Sequence, residues 1–403
     1  MISKEQLAQL RAETPACSEV LHFDNAGASL MPKPVTDYLH DYLRTEAHYG
    51  GYRTQAMRHE ESEAFYSAAA KLLNCHSDEI AFCESATRAW DLVFYAFNFK
   101  PGDRVLTSLA DYGSNFVAYQ QQAKRLGVEI VIVPNDASGA VDVQQLQGLI
   151  DERVKLISIS HIPTGGGLIN PAQKIGDIAK AANIPYLLDA CQSIGQLNVD
   201  VEAIGCDMAC GTGRKYLRGP RGTGLLYVRK HWIDKLEPPM LDQHAADLID
   251  AQSYRLRSDA RRFEAWEQNV PGKGALAIAM NYAHEIGMVK IEQRIRALAT
   301  DLRQQLNAID GVRVMDEGHE QCGLVTFHCE PQSRSQCDAY AIKQALAQRD
   351  IHVSVSEGSG SLVNFQHRGI QRLVRASVHY FNTDDEVRRF ADTIAQVIAV
   401  DSA

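Results

Sequence analysis

The 403-residue sequence has no long apolar run, no excess of basic residues and no closely paired cysteines. A bilayer-spanning helix needs roughly 20 apolar residues, so we expect no contact with a membrane core. The net charge of −9 argues against a nucleic-acid partner, because phosphate backbones are bound by clustered lysine and arginine. The first residues, Met1 to Leu7, lack the basic and apolar order of a signal peptide, and a cytoplasmic location is expected.

The nine cysteines are an odd number and form no Cys-x-x-Cys motif. Cys206 and Cys210 stand four residues apart in an apolar run, but no second pair follows at the spacing of a zinc finger. We therefore predict no metal site. The cysteines are interpreted as buried free thiols in a reducing compartment.

Short apolar runs alternate with helical patterns between residues 79 and 230. This alternation predicts strand–helix–strand crossovers and a mainly parallel sheet covered by helices on both faces. Beyond residue 235 the pattern changes to helices with shorter strands. We expect an α/β fold with a helical arm (residues 1–20), a large domain (21–260) and a smaller α+β C-terminal domain (261–403).

Two polar residues follow apolar runs, where ligands of parallel sheets bind. Asp189 ends the run that starts at Pro185, and Lys215 lies in a glycine-rich loop after the run that ends at Cys210. A lysine amine can form a Schiff base with an aldehyde, and a buried carboxylate can keep a heteroaromatic nitrogen protonated. The pair predicts a pyridoxal 5'-phosphate site, with Gln192 in reach of the phenolic oxygen of the ring. The alternatives are an aspartate that caps a turn and a surface lysine.

Three further patterns match what such a site needs. Glu84 to Thr87 lies at a strand-to-helix junction, where free backbone N–H groups favour a phosphate, although Ser85 and Thr87 could merely cap the helix. Tyr112 can stack on a ring, and Arg375 can clamp a carboxylate with its two-pronged guanidinium. Each is also compatible with an ordinary role, as a packed tyrosine and as a surface arginine.

Taken together and in this order, the motifs resemble the class V aminotransferase superfamily of fold-type I pyridoxal phosphate enzymes. That superfamily includes cysteine desulfurases, isopenicillin N epimerase-like proteins and C–S lyases. The resemblance covers nearly the whole chain and rests on Phe23-Asp-Asn-Ala-Gly-Ala28, Glu84-Ser-Ala-Thr87, Ser160-His161, Gly165-Gly-Gly-Leu-Ile-Asn-Pro171, Asp189-Ala-Cys-Gln192, the run from Gly211 to Gly224, and Arg375-Ala-Ser-Val-His-Tyr-Phe-Asn-Thr383.

The resemblance implies a role for each matched residue. Lys215 takes the position of the Schiff-base lysine, Asp189 that of the partner of the ring nitrogen, and Tyr112 that of the stacking residue. The phosphate would be bound by Ala86, Thr87, Thr212 and Arg214, with Thr164 and Gln192 near the phenolic oxygen. On the substrate side the resemblance places Ala26, Gly27, His161 and, for the carboxylate, Arg375. It also implies a homodimer with sites at the subunit interface.

The departures from cysteine desulfurases concern both cofactor and substrate positions. Those enzymes usually have histidine at the positions of Tyr112 and Arg214, and often asparagine at Thr164. Trp266-Glu267 replaces a Gly-Thr pair that commonly reaches the phosphate of the neighbouring subunit. A desulfurase also needs a nucleophilic cysteine before the final arginine, and none lies between His352 and Arg375.

The nearest cysteine, Cys337, precedes a helical pattern and is interpreted as structural. We therefore predict an enzyme that acts on an amino acid through a Cα carbanion, with Lys215 as the proton shuttle. The first hypothesis is a C–S lyase, which eliminates a sulfur group from a cysteine-derived substrate and needs no catalytic thiol. An aminotransferase is second and an epimerase third. A non-catalytic binding protein is disfavoured, because Lys215, Asp189 and Arg375 are all present.

The glycine- and serine-rich stretch Glu357-Gly-Ser-Gly-Ser361 is interpreted as irregular. It could be a mobile loop that closes over the site or a linker-like surface loop.

Overall fold

The structure is a computed structural model that describes residues 2–329 and 338–400. Cys337, for which the sequence suggested a structural role, lies outside the described residues. Within those two ranges, no helix combines the length and the apolar character that a membrane span requires.

The described helices and strands alternate along most of the chain. The helices are α1 (Lys4–Ala12), α2 (Lys33–Tyr49), α3 (Gly51–Met57), α4 (His59–Leu73), α5 (Ala86–Phe94), α6 (Gly113–Leu126), α7 (Val143–Gly148), α8 (Ala172–Ala182), α9 (Val201–Ile204), α10 (Lys230–Ile233), α11 (Val270–Ile286), α12 (Met288–Asn307), α13 (Ala339–Ala347), α14 (Gly358–Arg368) and α15 (Asp384–Val400). The strands are β1 (Leu21–His22), β2 (Ile80–Cys83), β3 (Arg104–Ser108), β4 (Glu129–Val133), β5 (Val154–Ser160), β6 (Tyr186–Asp189), β7 (Met208–Thr212), β8 (Gly224–Val228), β9 (Ala246–Asp250), β10 (Ser253–Leu256), β11 (Val312–Val314), β12 (Leu324–Cys329), β13 (Ile351–His352), β14 (Ser354–Glu357) and β15 (Arg372–Ser377).

A seven-stranded sheet forms the centre of the molecule, in the order β2-β8-β7-β6-β5-β3-β4. β8 runs antiparallel to both of its neighbours, and the other pairings are parallel. The carboxyl ends of β2, β3, β5, β6 and β7 therefore meet at one edge. The predicted α/β class with a mainly parallel sheet is confirmed.

The central strands are buried on both faces, which explains why they are continuous apolar runs rather than alternating ones. Neighbouring residues of one strand enter different cores. Leu187 of β6 packs in the core around Trp90 and Phe94 of α5, whereas Leu188 packs in the larger core on the opposite face. Burial on both sides makes the sheet a rigid base for the polar residues that follow its strands.

A second, four-stranded antiparallel sheet has the order β11-β12-β15-β14. Two contacts cross the domain boundaries expected from the sequence. β1 pairs in parallel with β13 of the C-terminal part, and α11 packs against α2 and α4 of the N-terminal part. The divisions after residues 20 and 260 stay predictions.

The stretch from Glu357 to Ser361 is not the irregular loop expected from its composition. It joins the end of β14 to α14, a helix that begins at Gly358 and is interrupted at Ser361 by non-helical backbone angles (φ −149°, ψ 41°).

Candidate active site

A cavity of about 240 Å³ opens at the sheet edge where the carboxyl ends of the strands meet. It is lined by all nine residues that the sequence predicted to bind the cofactor: Ala86, Thr87, Tyr112, Thr164, Asp189, Gln192, Thr212, Arg214 and Lys215. Residues far apart in sequence are thus brought together as expected. Their individual roles stay predictions.

Lys215 reaches this cavity from a tight loop between β7 and β8. The loop is closed by hydrogen bonds from the Gly213 N–H to the Thr223 oxygen (2.9 Å) and from the Gly219 N–H to the Gly213 oxygen (2.7 Å). A side chain at Gly213 would lie 2.2 Å from the Thr223 hydroxyl, so the turn requires glycine. The Lys215 side chain is buried, and its Nζ donates to Cys191 Sγ at 3.3 Å.

Asp189 ends β6 and presents a buried carboxylate to the cavity. Its Oδ1 accepts from the Cys191 N–H (2.9 Å) and from Cys210 Sγ (3.7 Å). Its Oδ2 accepts from Asn115 Nδ2 (3.2 Å). All three donors are neutral, and a buried carboxylate gains most from a cationic partner. The protonated nitrogen of a pyridine ring in the cavity would supply that partner.

Gln192 has one satisfied and one unsatisfied side-chain atom. Its Nε2 donates to the Ala26 oxygen and to Thr164 Oγ1, both at 3.2 Å. Its Oε1 is buried and has no hydrogen-bond partner among the described residues. Because buried polar atoms are normally paired, this orphan at the cavity wall fits a bound group with a polar substituent.

The part of the cavity wall formed by the start of α5 suits an anion. α5 begins at Ala86, so its first N–H groups have no partner within the helix and the positive end of the helix dipole lies there. Ser85 does cap the helix, accepting from the Arg88 N–H at 3.1 Å, while Thr87 lines the cavity. A side chain at Gly224, the first residue of β8, would lie 2.7 Å from the Gly211 oxygen of β7 and 2.9 Å from the Ser85 carbonyl carbon, so close packing at this helix end depends on glycine.

Arginine supplies positive charge at the same cavity. Arg214 lines it and donates through Nη1 to the Gly27 oxygen. The exposed Arg221 also lines the cavity, although no role beyond its place in a motif was predicted for it. Two guanidinium groups and the α5 N–H groups are a donor set suited to a phosphate dianion.

Arg375 lies beside the cavity on β15, in the second sheet. Its Nε donates to Ser354 Oγ (2.9 Å), and its Nη1 donates to the Thr164 oxygen (3.1 Å) and to Thr164 Oγ1 (3.0 Å). Its Nη2 is 3.6 Å from Asp24 Oδ1. Burial lowers the pKa of Arg375, and the Asp24 carboxylate opposes that effect. The contact with a substrate carboxylate stays a prediction.

Ala26 and Gly27 belong to the loop after β1 and touch residues of the cavity rather than lining it. The Ala26 N–H donates to Ser377 Oγ at 2.9 Å, and its oxygen accepts from Gln192. A side chain at Gly27 would lie 2.5 Å from Asp24 Oδ1. The loop thus lies between the cofactor-binding residues and β15, where a substrate side was expected.

The structure does not bring His161 into this cavity. Successive residues of a strand point to opposite faces, and Ser160 points towards the active-site side. The His161 ring instead lines a separate cavity with Asn170 and Arg296. Burial and then Arg296 lower the pKa of His161 to about 4, so the ring is neutral at physiological pH. The substrate contact expected for His161 is therefore not seen.

Several residues of the site were missed from the sequence. Asn115, Ser160, Cys191 and Arg221 all line the cavity. Asn115 stands in the first turn of α6, three residues after Tyr112. Its position near the end of β3 could therefore have been predicted from the sequence. Its bond to Asp189 joins residues 74 positions apart and had no local signal.

The family model for "Aminotransferase class-V" matches residues 21–390. The chain belongs to this family. It is 29% identical over 398 residues to a probable cysteine desulfurase of Pyrococcus abyssi, covering 96% of this chain and 97% of the relative. A probable cysteine desulfurase of Methanothermobacter thermautotrophicus is 28% identical, with the same coverage of both chains.

Solved structures of this family share the whole fold. An apo cysteine desulfurase from Thermococcus onnurineus NA1 superposes with a TM-score of 0.90 at 26% identity, covering 99% of this chain and 100% of the other. The cystine C–S lyase C-DES, in complex with its product cysteine persulfide, has a TM-score of 0.84 at 19% identity, covering 95% and 99%. This second likeness shows the fold alone.

The chain is thus a pyridoxal 5'-phosphate-dependent enzyme, and the predicted cofactor is confirmed. The residues present fit that group. The cavity joins a buried amine, a carboxylate whose donors are neutral, an unpaired Gln192 oxygen and an anion-binding helix end.

Proposed function

We propose that the enzyme is a C–S lyase that eliminates a sulfur group from the β-carbon of a cysteine-derived amino acid. The observation that carries the proposal is one cavity that holds the Lys215 amine and the Asp189 carboxylate, with Arg375 bonded to its wall at Thr164. Relatives named as cysteine desulfurases and a structural neighbour named as a cystine C–S lyase support a cysteine-type substrate.

The residues of the chain divide the work of this reaction. When bound, pyridoxal phosphate draws electrons away from the Cα of the attached amino acid. Lys215 would take up the proton from Cα, and Asp189 would keep a proton on the ring nitrogen. Tyr112 would stack on the ring, and Arg375 would hold the substrate carboxylate.

The cysteines of the chain favour elimination over persulfide transfer. The segment from His352 to Arg375, which forms β13, β14, α14 and part of β15, contains no cysteine. Cys191 does line the cavity, but burial raises the pKa of its thiol above the ordinary value, although the Lys215 ammonium opposes this effect. A protonated thiol is a poor nucleophile, so Cys191 is not suited to accept sulfur.

Incubating the cofactor-loaded enzyme with cystine and with S-substituted cysteines tests the proposal. A lyase releases pyruvate and ammonia, and Lys215→Ala should release neither. Amine exchange that depends on an added keto acid, without pyruvate, would show an aminotransferase instead. Inversion at Cα without release of either product would show an epimerase.

We further propose a homodimer. A group of apolar side chains is exposed around the β9–β10 hairpin, including Leu248 (72% exposed), Ile249, Tyr254 and, nearby in sequence, Trp266. Several exposed apolar side chains on one hairpin of a folded chain favour association. Light scattering after gel filtration should give twice the chain mass, and Leu248→Asp with Ile249→Asp should weaken the dimer. A wild-type monomer would contradict this part of the proposal.

A cytoplasmic location belongs to the same proposal. It is supported by the seven cysteines from Cys17 to Cys322, which are free thiols, as a reducing compartment maintains.

A further inference from the structure

A second buried carboxylate lies behind the cavity wall. Asp111, between β3 and α6, is 1% exposed and accepts five hydrogen bonds. Two reach Oδ2, from Thr107 Oγ1 (2.6 Å) and the Tyr119 hydroxyl (2.9 Å). Three reach Oδ1, from Ser160 Oγ (2.5 Å), Asn115 Nδ2 (3.1 Å) and the Tyr112 N–H (2.7 Å). With this many donors, Asp111 is held in one orientation.

Asn115 joins this carboxylate to the one that faces the cofactor. An amide nitrogen carries two hydrogens. The Nδ2 of Asn115 donates to Asp111 Oδ1 at 3.1 Å and to Asp189 Oδ2 at 3.2 Å. Because both hydrogens are engaged, the amide cannot turn without losing a bond to a buried charge. The orientation of the Asp189 carboxylate therefore depends on Asp111 through one intermediate residue.

The same Asp111 oxygen also holds the backbone that carries the stacking tyrosine. Tyr112 is the N-cap of α6 and makes no capping bond with its own side chain. Its N–H is bound by Asp111 Oδ1 at 2.7 Å, and its side chain lines the cavity. Asp111 thus contacts the supports of two different walls of the cofactor site.

We infer that Asp111 is a positioning residue of the active site: it orients Asp189 through Asn115 and places Tyr112 through the backbone. Asp111 itself does not line the cavity. The inference concerns how the cofactor is held, so it is independent of the proposed C–S lyase reaction.

Cofactor binding and cofactor absorbance test this inference without reference to turnover. Asp111→Asn and Asn115→Ala should each raise the dissociation constant of pyridoxal phosphate, titrated into the apoenzyme, by about tenfold. Each should also shift the midpoint pH at which the visible absorbance of the loaded enzyme changes. The two variants should shift this midpoint in the same direction. If Asp111 acts through Asn115, the double variant should show no larger shift in the titration than Asn115→Ala alone.

Tyr119→Phe is the matched control. It removes a bond to the other oxygen of Asp111, outside the cavity, and should lower thermal stability while leaving cofactor affinity and titration unchanged. Wild-type affinity and titration in Asp111→Asn, or additive titration shifts in the double variant, would overturn the inference. If Asp111→Asn fails to fold, Ser160→Ala decides, because it removes a bond to the Asp111 oxygen that holds Asn115 and the Tyr112 N–H. It should shift the titration in the same direction as Asn115→Ala, and an unchanged titration would overturn the inference.

Discussion

The two sides of the active site are built differently. The cofactor side consists of residues at or just beyond the ends of strands of one rigid sheet, since Asp189 ends β6 and Lys215 lies in the loop after β7. The substrate side is assembled over long distances, with Arg375 of the second sheet bonded to Thr164, 211 residues away. Local chain order therefore determines the cofactor side, whereas the packing of separate parts determines the substrate side.

The comparison has a consequence for mutations. Changes on the cofactor side should affect the chemical step or cofactor affinity, because these residues line the cavity that fits the ring. Changes on the substrate side should affect binding of the amino acid, because Arg375 lies beside the cavity and is expected to hold the substrate carboxylate. Variants on each side, with controls that keep the fold, test this division.

The largest effect is expected for Lys215→Ala. Loss of the amine removes both the covalent attachment and the proton carrier, and pyruvate formation should fall by at least about 10⁴-fold. The anion end of the cavity is untouched, so the variant should still bind the cofactor, as measured by equilibrium dialysis. Turnover within tenfold of the wild type would remove Lys215 from its role.

Asp189→Asn should reduce kcat by about 10³-fold, because an amide cannot hold a cationic ring nitrogen as a carboxylate does. Steady-state kinetics would measure the loss. Cys210→Ala is the matched control, since it removes only the long 3.7 Å contact to the same carboxylate. Equal losses in both variants would mean that general disruption of the strand ends, and not the charge of Asp189, is responsible.

Arg375→Lys should raise KM for the amino acid by about 100-fold while changing kcat little, because a lysine cannot form the two-pronged bond to a carboxylate. Arg372→Ala provides a control on the same strand. Arg372 is 49% exposed and pairs with Asp338 at 3.3 Å, so the KM of the Arg372→Ala variant should stay at the wild-type value. A loss in kcat alone for Arg375→Lys would contradict a separate substrate side.

Gly224→Ala should raise the dissociation constant of the cofactor by about tenfold, since the added methyl group would push the start of β8 away from the end of β7 and from the residue that caps α5. Gly148→Ala, where a side chain meets no atom within 4 Å, should leave the constant unchanged. Unaltered affinity in Gly224→Ala would show that the anion end tolerates movement.

His161→Asn should have the smallest effect on kinetics, less than about twofold in kcat and KM, because the ring lies outside the cavity. Its effect should appear in stability instead. The folded-state pKa of about 4 lies below the ordinary value of 6.5, so the unfolded chain binds the proton more readily. The wild type should therefore lose stability as the pH falls from 6.5 to 4, and the variant should lose less.

Chemical denaturation at several pH values measures that difference. A tenfold rise in KM for His161→Asn would instead support the contact between His161 and the substrate that the sequence predicted.

The same division explains what the sequence could predict. Asp189, Lys215 and the start of α5 follow strands whose apolar character is local, so their meeting at one sheet edge followed from the parallel order. His161 lies outside the cavity because side chains alternate along β5 and Ser160 takes the inward face, which the resemblance did not indicate. Its predicted contact with the substrate stays a prediction. The bonds of Asp111 and Asn115 join three strand ends and could not be read from any one segment.

The prediction for the segment that forms α14 was wrong for a different reason. Glycine and serine have low helix propensity, so Gly358 to Ser361 predicted irregular chain. Tertiary packing decides here instead: a side chain at Gly165 would lie 2.7 Å from Ser361 Oγ, and one at Gly360 would lie 3.2 Å from Thr164. The small residues allow the helix to lie against the loop that carries Thr164, which composition alone does not reveal.

The central claim is that Lys215 carries the cofactor in the cavity that Asp189 faces. Borohydride reduction of the loaded enzyme, followed by proteolysis and mass spectrometry, tests it most directly. We predict one pyridoxyl group per chain, on the peptide that contains Lys215, and none after Lys215→Ala. A label on another lysine, or an undiminished label in the variant, would contradict the account.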